Sequence, residues 1–566
     1  MKRCPQCNSV TTDDLFFCRH DGIQLVSYSD SLGDSETVTL ECRTVDLLPE
    51  ATEPTMPGRK APAAPPTNRD ALAKAESLTI GREGRTRTIG VSVIASIIAF
   101  ALAGSTYYSI SRKENSTINS LAVLPFINVN ADQRLDYLSD GLTETLIFNL
   151  SQLRELNVKA FSSVLRYRGK EVAPRAAGAD LNVKAILNGR ILQSGDLLTI
   201  SLELADTRTE NVIWNGQYSR KQNDLVSLQS EIAHDITSKF RVKLTGSDEQ
   251  KLSKKYTTNE EAYDCYLKGR FYWNRRRPKD LEKSIDCFNQ AVLRDPNYAL
   301  AYAGLADSYV VLPFYRDDPR QDAMAQARNA ATKALSLDRD LVEPHASLGL
   351  VNTLESSFTE AEREFHVALE LNPTYAMAHT WYGIMLTYLG RDTEALIELQ
   401  KALEIEPLSL IGNLIYGEVL FYARRYDDAI AQLKKTIELD EGFEGAHSGL
   451  ALAYQAKGMY GKVVEEYARY QDLIGEQQTA TLARSSFAKG RWQGFLRAMT
   501  EEPRPAGVSL YNRVIFLTAL GEKDKAFDEL DKAYQVIGRL VRVNPLLDPL
   551  RDDPRYEEFL RHAGLF

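Results

Sequence analysis

Residues 349–407 read GLVNTLESSFTEAEREFHVALELNPTYAMAHTWYGIMLTYLGRDTEALIELQKALEIEP. In and just beyond this stretch Gly349, Gly383 and Gly417 stand 34 positions apart, as do Ala361, Ala395 and Ala429, and Phe365, Leu399 and Leu433. Small and large residues locked in phase at this period mark stacked helix–turn–helix units, since one helix pair cannot bury its apolar face alone. Small residues let paired helices approach, large ones fill the gap, and a proline such as Pro373 or Pro407 ends each unit. Ser284, Phe288, Ala291 and Pro296 carry the pattern upstream. Tyr302, Leu305, Ala306 and Tyr309 open the next unit, and Ala327, Ala331 and Ala334 close it after an insertion around 314–321. Tyr454 and Tyr467 continue the array, and Ala526, Leu530 and Ala533 mark a last, looser unit.

These positions resemble the tetratricopeptide repeat (TPR), over about half of the chain. The resemblance implies an α-solenoid of TPR helix pairs across 258–540, closed by a polar cap at 541–566, with protein partners on its concave face. Some such arrays clamp a terminal carboxylate with Asn and Lys. The corresponding residues here, Glu343, Ala346, Met377, Thr380, Ile411 and Leu414, are mostly apolar or neutral. The expectation is therefore mixed apolar contacts and no carboxylate clamp. His345 and His379 share one repeat position and read as helix-packing residues.

The region before the repeats mixes strands and helices, which suggests a small α/β domain across 118–245. Ser120–Phe126 and Leu156–Phe161 read as strands. Val183–Gln193 and Leu197–Asp206 alternate apolar and polar residues around the turn Ser194-Gly195-Asp196 and read as a hairpin. Asn211–Tyr218 reads as a further strand, with Trp214 in the core. Ser139–Leu153 has helical periodicity, with Ser139 or Asp140 as N-cap and Glu144 in the first turn. Leu225–Leu244 reads as a long amphipathic helix. The strings Val123-Leu124-Pro125-Phe126 and Ser139-Asp140-Gly141-Leu142, with Val183, Leu187, Gly189 and Trp214, resemble the TolB-like amino-terminal domain. That resemblance implies a docking role without catalytic residues.

Residues 88–111, TIGVSVIASIIAFALAGSTYYSIS, carry no charge and are long enough to span a bilayer. Arg69, Lys74, Arg82, Arg85 and Arg87 precede them, whereas only Arg112 and Lys113 follow closely. The excess of cations on the first side predicts a single-pass helix with the N-terminus cytoplasmic and the C-terminal domains periplasmic, in a bacterial inner membrane. Residues 27–87, rich in Pro, Ala, Thr and charge, read as a disordered linker.

Of six cysteines, Cys4, Cys7 and Cys18 crowd into the first 20 residues. Cys4-Pro-Gln-Cys7 and Cys18-Arg-His20-Asp21-Gly22 resemble the two half-knuckles of a zinc ribbon over 1–26, with Asp21 standing where a fourth cysteine is usual. Three thiolates with Asp21 or His20 would complete a tetrahedral structural Zn²⁺ site, and so small a unit needs the metal to fold. Cys265 and Cys287, on the two helices of the first repeat, read as packing residues.

The net charge of −9 argues against general nucleic-acid binding. No HExxH pair, P-loop, GxSxG elbow or kinase motif occurs. The combined expectation is multidomain: a zinc-ribbon-like head, one transmembrane helix, a small α/β domain and the solenoid. It is a non-enzymatic, membrane-anchored interaction scaffold in a signalling or envelope assembly, with no nucleic-acid partner and no small-molecule substrate. The alternative is a transmembrane signalling or transcription regulator coupling the outer domains to the cytoplasmic head.

Overall fold

The computed structural model describes residues 118–132, 135–153, 156–221, 224–239, 246–315, 320–537 and 540–563, with three short strands near the N-terminus. The chain divides into two units, Met1–Ser96 and Ile97–Phe566. In the first, β1 (Lys2–Arg3), β2 (Val10–Thr11) and β3 (Val26–Ser27) pair antiparallel in the order β2-β1-β3. Cys4, Cys7, Cys18, His20 and Asp21 lie outside the described residues, as do residues 28–87 and the apolar stretch 88–111. Among the described residues no helix is long and apolar enough to cross a membrane.

The second unit opens with a mixed sheet of β4 (Ser120–Val123), β5 (Ile127–Asn128), β6 (Asn157–Val158), β7 (Ala185–Ser194), β8 (Leu197–Asp206) and β9 (Val212–Lys221). The order is β6-β4-β7-β8-β9, with β5 also on β7. β4 runs parallel to β6 and β7, and β7-β8-β9 form an antiparallel meander. Alternation sets the register. Leu198, Ile200, Leu202 and Leu204 are buried while Ser201 and Glu203 face water. Gly195, at φ +60°, is the first residue of the two-residue β7–β8 turn, where an L side chain would be strained. The helices of this domain are α1 (Asp136–Ser151), α2 (Phe161–Val164), α3 (Pro174–Leu181), α4 (Val226–Lys239) and α5 (Gly246–Ser253).

Two local expectations shift. α1 starts at Asp136, so Ser139 and Asp140 are buried inside it rather than capping it, and Glu144 lies in the third turn. Leu138, Leu142 and Leu146 form one buried stripe, and packing of that stripe carries the helix a turn upstream of the polar residues. The run Leu156–Phe161 is strand only at Asn157–Val158, because Phe161 already opens α2 and turns its ring into the core. Trp214 packs against the core from β9, lying over Gly216.

From Glu260 the chain forms helical hairpins: α6 (Glu260–Arg275) with α7 (Pro278–Arg294), α8 (Ala299–Val311) with α9 (Arg320–Leu337), and α10 (Val342–Leu354) with α11 (Phe358–Leu371). There follow α12 (Ala376–Tyr388) with α13 (Asp392–Ile405), α14 (Leu410–Tyr422) with α15 (Tyr426–Leu439), and α16 (Glu444–Ala456) with α17 (Tyr460–Leu473). α18 (Gln477–Met499) breaks at Arg491, where φ is 51° and ψ −147°, and α19 (Leu510–Leu520) pairs with α20 (Lys523–Ile537). Short helices α21 (Leu540–Val543), α22 (Asp548–Arg551) and α23 (Pro554–His562) end the described chain. These hairpins make this part of the chain an array of paired helices repeating at the 34-residue period of the sequence.

The phased residues of the sequence are the contacts of this packing. A Cβ on Gly349 would fall 2.6 Å from Phe365, on Gly383 2.7 Å from Leu399, and on Gly417 2.7 Å from Leu433. The glycine thus leaves the room that the large residue of the second helix fills in each hairpin, and Ala361, Ala395 and Ala429 are fully buried. The turn between the two helices repeats as well: Ser356, Gly390, Arg424 and Gly458 all have positive φ, between 61° and 73°.

Candidate functional site

The first helices of consecutive hairpins, α6, α8, α10, α12, α14 and α16, touch one another in series and form one row. The α/β domain docks on the start of this row. Leu267 of α6 presses on Gly141 of α1, where an added Cβ would lie 3.0 Å away. Arg270 of α6 donates to Glu144 of α1 at 2.9 and 2.5 Å, and Asn274 donates to the other oxygen of Glu144 at 2.9 Å. Arg270 also faces Asp307 of α8 at 3.4 Å, and Ser347 of α10 donates to Asp307 at 2.6 Å. One polar chain therefore runs from the α/β domain through three first helices. Burial pushes Asp307 up to about 6 against the pull of Arg270. Glu343 of α10, beside a cavity of about 40 Å³ that Glu144, Arg270 and Asp307 also line, is pushed by burial to about 7 and has a buried oxygen without a hydrogen bond.

The end of the chain returns to the same row. Leu540–Val543 lies against α12. Arg424 pairs with both oxygens of Asp548 at 2.7 and 3.0 Å, and Asn544 donates to the Tyr511 hydroxyl at 2.5 Å. The row is thus covered by the α/β domain near its start and by residues beyond 540 further along. A cleft of about 420 Å³ lies between the α/β domain and the repeats. Its lining includes Arg166 and Arg168, Arg275 at the end of α6 with Arg276 and Arg277 after it, and Met377, Leu408, Ile411 and Phe443 with Glu406, Asp440 and Glu444. Ser162 of α2 donates to Glu406 across it.

Of the residues expected on the groove, Met377 and Ile411 line this cleft and Glu343 lines the smaller cavity. Ala346 and Thr380 are buried in the helix packing, and Leu414 packs on Gly445. Asp140 and Glu144, read as stabilisers of a helix start, instead bind Arg168 and Arg270. A sequence signal for the cleft is the triplet Arg275-Arg276-Arg277 at and just beyond the end of α6, a cationic run that a short interhelix turn does not need.

His345 and His379 are part of a ladder. Each Nδ1 meets a glutamate 19 residues on, Glu364 at 2.7 Å and Glu398 at 2.6 Å, and His447 meets Glu466 at 2.6 Å. The position between them holds Asn413, which accepts from Gln432 at 2.6 Å. In three of the four a side-chain nitrogen also reaches a backbone carbonyl: His379 Nε2 to Pro373 at 3.1 Å, Asn413 Nδ2 to Pro407 at 3.0 Å and His447 Nε2 to Glu441 at 3.3 Å. These residues bind the two helices of one hairpin together and tie the second row to the first. Cys265 and Cys287 are unbridged, and burial raises both thiols, Cys287 to about 11, which leaves them poor nucleophiles.

The family model of the HilA/YgeH-like transcriptional regulator second domain matches residues 116–235, the segment read above as TolB-like. A Rhizobium meliloti (strain 1021) protein provisionally named adenylate cyclase 3 is 28% identical over 249 residues, 43% of this chain and 42% of that protein. The transcriptional regulator HilA of Salmonella typhimurium (strain LT2) is 23% identical over 259 residues, 45% of each chain. The chain thus spans less than half the length of these relatives. Among solved structures, YrrB, described as a TPR protein with an unusual peptide-binding site, is 22% identical over 35% of this chain and 97% of its own, at a TM-score of 0.24. PilW, described as a type IV pilus biogenesis factor, is 19% identical over 45% and 96%, at a TM-score of 0.29. The assignment to helical repeats rests on the hairpins themselves.

Proposed function

We propose that this chain is a membrane-anchored protein-interaction adaptor of a bacterial signalling or envelope assembly, working without bond making. The observation that carries this reading is the docking of an α/β domain onto the first helices of a TPR-type array, through Glu144, Arg270 and Asp307. Repeat arrays of this kind present extended surfaces to other polypeptides, and a domain locked onto one adds a second surface in fixed geometry. The apolar stretch 88–111 supplies the anchor, with the N-terminus cytoplasmic. Cys4, Cys7 and Cys18 with Asp21 or His20 supply a structural zinc site in the head.

The second reading is a regulator whose outer domains receive a signal and whose head acts in the cytoplasm. The match of residues 116–235 to a domain of HilA/YgeH-like regulators favours it. In either reading the partner surface includes Met377 and Ile411. Co-purification from detergent-solubilised membranes tests this with the full chain and the pair Met377→Lys and Ile411→Lys. Proteins held by the wild type and lost from the variant support the adaptor reading. Identical captures on both chains, or none on the wild type, refute it.

A further inference from the structure

The start of the row of first helices holds more acid than base. Glu144 of α1, Asp307 of α8 and Glu343 of α10 line one cavity of about 40 Å³ together with Arg270 of α6. Arg276 is a second cation within electrostatic reach of Asp307. Arg270 pairs with Glu144 at 2.5 Å and with Asp307 at 3.4 Å, and Asp307 accepts a further hydrogen bond from Ser347. Glu343 is the third acid. Among the described residues it forms no ion pair, and one of its carboxyl oxygens is buried without a hydrogen bond. An ionised carboxylate so placed lacks the partners a desolvated charge needs, and the group takes up a proton instead.

The other groups around Glu343 bring it no cation. Asp338, between α9 and α10, is paired with Lys254 at 2.6 Å. His345 on the same helix is turned to Glu364 of α11 at 2.7 Å. Tyr256, Tyr266 and Tyr375 are kept neutral by burial. Burial raises Glu343 to about 7, with Asp307 and Asp338 adding to the rise and Arg270 opposing it. Glu343 keeps partial contact with water, and the cavity has room for a water molecule, so a proton can enter and leave.

We propose that a proton on Glu343 gates the docking of the α/β domain onto the repeats: with it the interface closes, and without it α1 loosens from α6 and α8. With the proton in place the two remaining carboxylates and two guanidinium groups balance. Without it one negative charge is left over inside the contact that α1 closes, and Glu144 is the carboxylate that can withdraw, because it belongs to the other domain. A carboxyl raised by docking holds its proton more tightly docked than released. Docking is therefore firmest in acid and weakens as pH rises from the ordinary value of 4.5 towards about 7. Asp307, raised from 3.8 to about 6, acts in the same direction. Opening bares the start of the row of first helices. The gate needs no partner, so it can fail while the adaptor reading stands.

The test is hydrogen–deuterium exchange of the full chain in detergent at about pH 5 and about pH 8, either side of the expected transition, read as protection factors so that the intrinsic rate cancels. Protection of α1 in the wild type should fall at least about tenfold between the two, the factor that one unit of pKa shift supplies. Protection of α16, remote in the array, should stay within about twofold. Glu343→Gln, which keeps a neutral group in place, should hold α1 level at both pH values, whereas Glu360→Gln, exposed on α11, should keep the wild-type fall. Equal α1 protection at both pH values in the wild type overturns the proposal, and this comparison stands if a variant misfolds. The same fall in Glu343→Gln, or a fall in α16 as large as that in α1, overturns it too.

Discussion

Arg270 of the first repeat helix lies between Glu144 of the α/β domain and Asp307 of the second repeat, all three side chains less than a fifth exposed. This makes the α/β domain part of the solenoid's packing and not a bead beside it. Removing the cation strands two buried carboxylates. Arg270→Met should cost about 3–5 kcal/mol, the range for breaking a buried pair from one side. Thermal or urea unfolding of the full chain reads this, and a loss below 1 kcal/mol would show that the pair is solvated.

The glycine of each repeat predicts an overpacking series. Gly383→Val drives a side chain into Leu399, whose Cγ sits 2.7 Å from the position of a Cβ. The expected loss is about 1–3 kcal/mol. Leu399→Ala in the same chain should recover part of it, and purely additive losses in the double-mutant cycle would deny the contact.

The histidine–glutamate ladder predicts an acid response. A hydrogen bond from His345 holds Glu364 below its ordinary value of 4.5. For Glu398 burial pushes up, and hydrogen bonds from His379 and Lys401 outweigh it, leaving the carboxyl lowered from 4.5. A carboxyl lowered on folding contributes stability above its unfolded pKa and loses it as pH falls through the folded one. The double change His379→Asn and Glu398→Gln, which copies the native Asn413–Gln432 pair, should keep the fold within about 1 kcal/mol at neutral pH. It should also flatten the loss of stability below pH 4.5 relative to the wild type. An unchanged acid limb would rule out this pair as its source. Reading the difference between chains cancels the opposite trend of Asp307 and Glu343, whose raised carboxyls favour the fold at lower pH.

The head predicts one zinc per chain when the protein is purified without chelator, by elemental analysis. Cys7→Ser should lower that stoichiometry toward zero. Metal content equal in the two chains, or absent from both, would sink the site.

The apolar stretch predicts topology. Alkaline phosphatase fused after Lys113 should be active and a cytoplasmic reporter at the N-terminus fluorescent. The reverse pair of results would invert the orientation drawn from the flanking arginines.

Local rules made the repeats legible. A 34-residue phase is visible because Gly349, Gly383 and Gly417 answer to partners 16 residues away in the same hairpin, Phe365, Leu399 and Leu433. The β7–β8 hairpin was legible for a like reason: alternation and a glycine turn act over few residues. The role of Glu144 was not, because Arg270 stands 126 residues further on. Read along its own helix, Glu144 looks like a favourable charge near a helix start. The ladder was half legible. His345 and His379 share a phase, but their hydrogen bonds to Glu364 and Glu398 cross between helices.

The amino-acid sequence alone determined which segments become paired helices, where they turn and which side chains fill each hairpin, since those choices follow from periodicity and close neighbours. Only the tertiary structure decided how the first helices are covered, by α1 at one place and Leu540–Val543 at another, and which charges face each other in the cleft that is left. Those contacts join residues more than a hundred positions apart, and the stacking of successive hairpins on one another, which no single repeat encodes, brings them within reach.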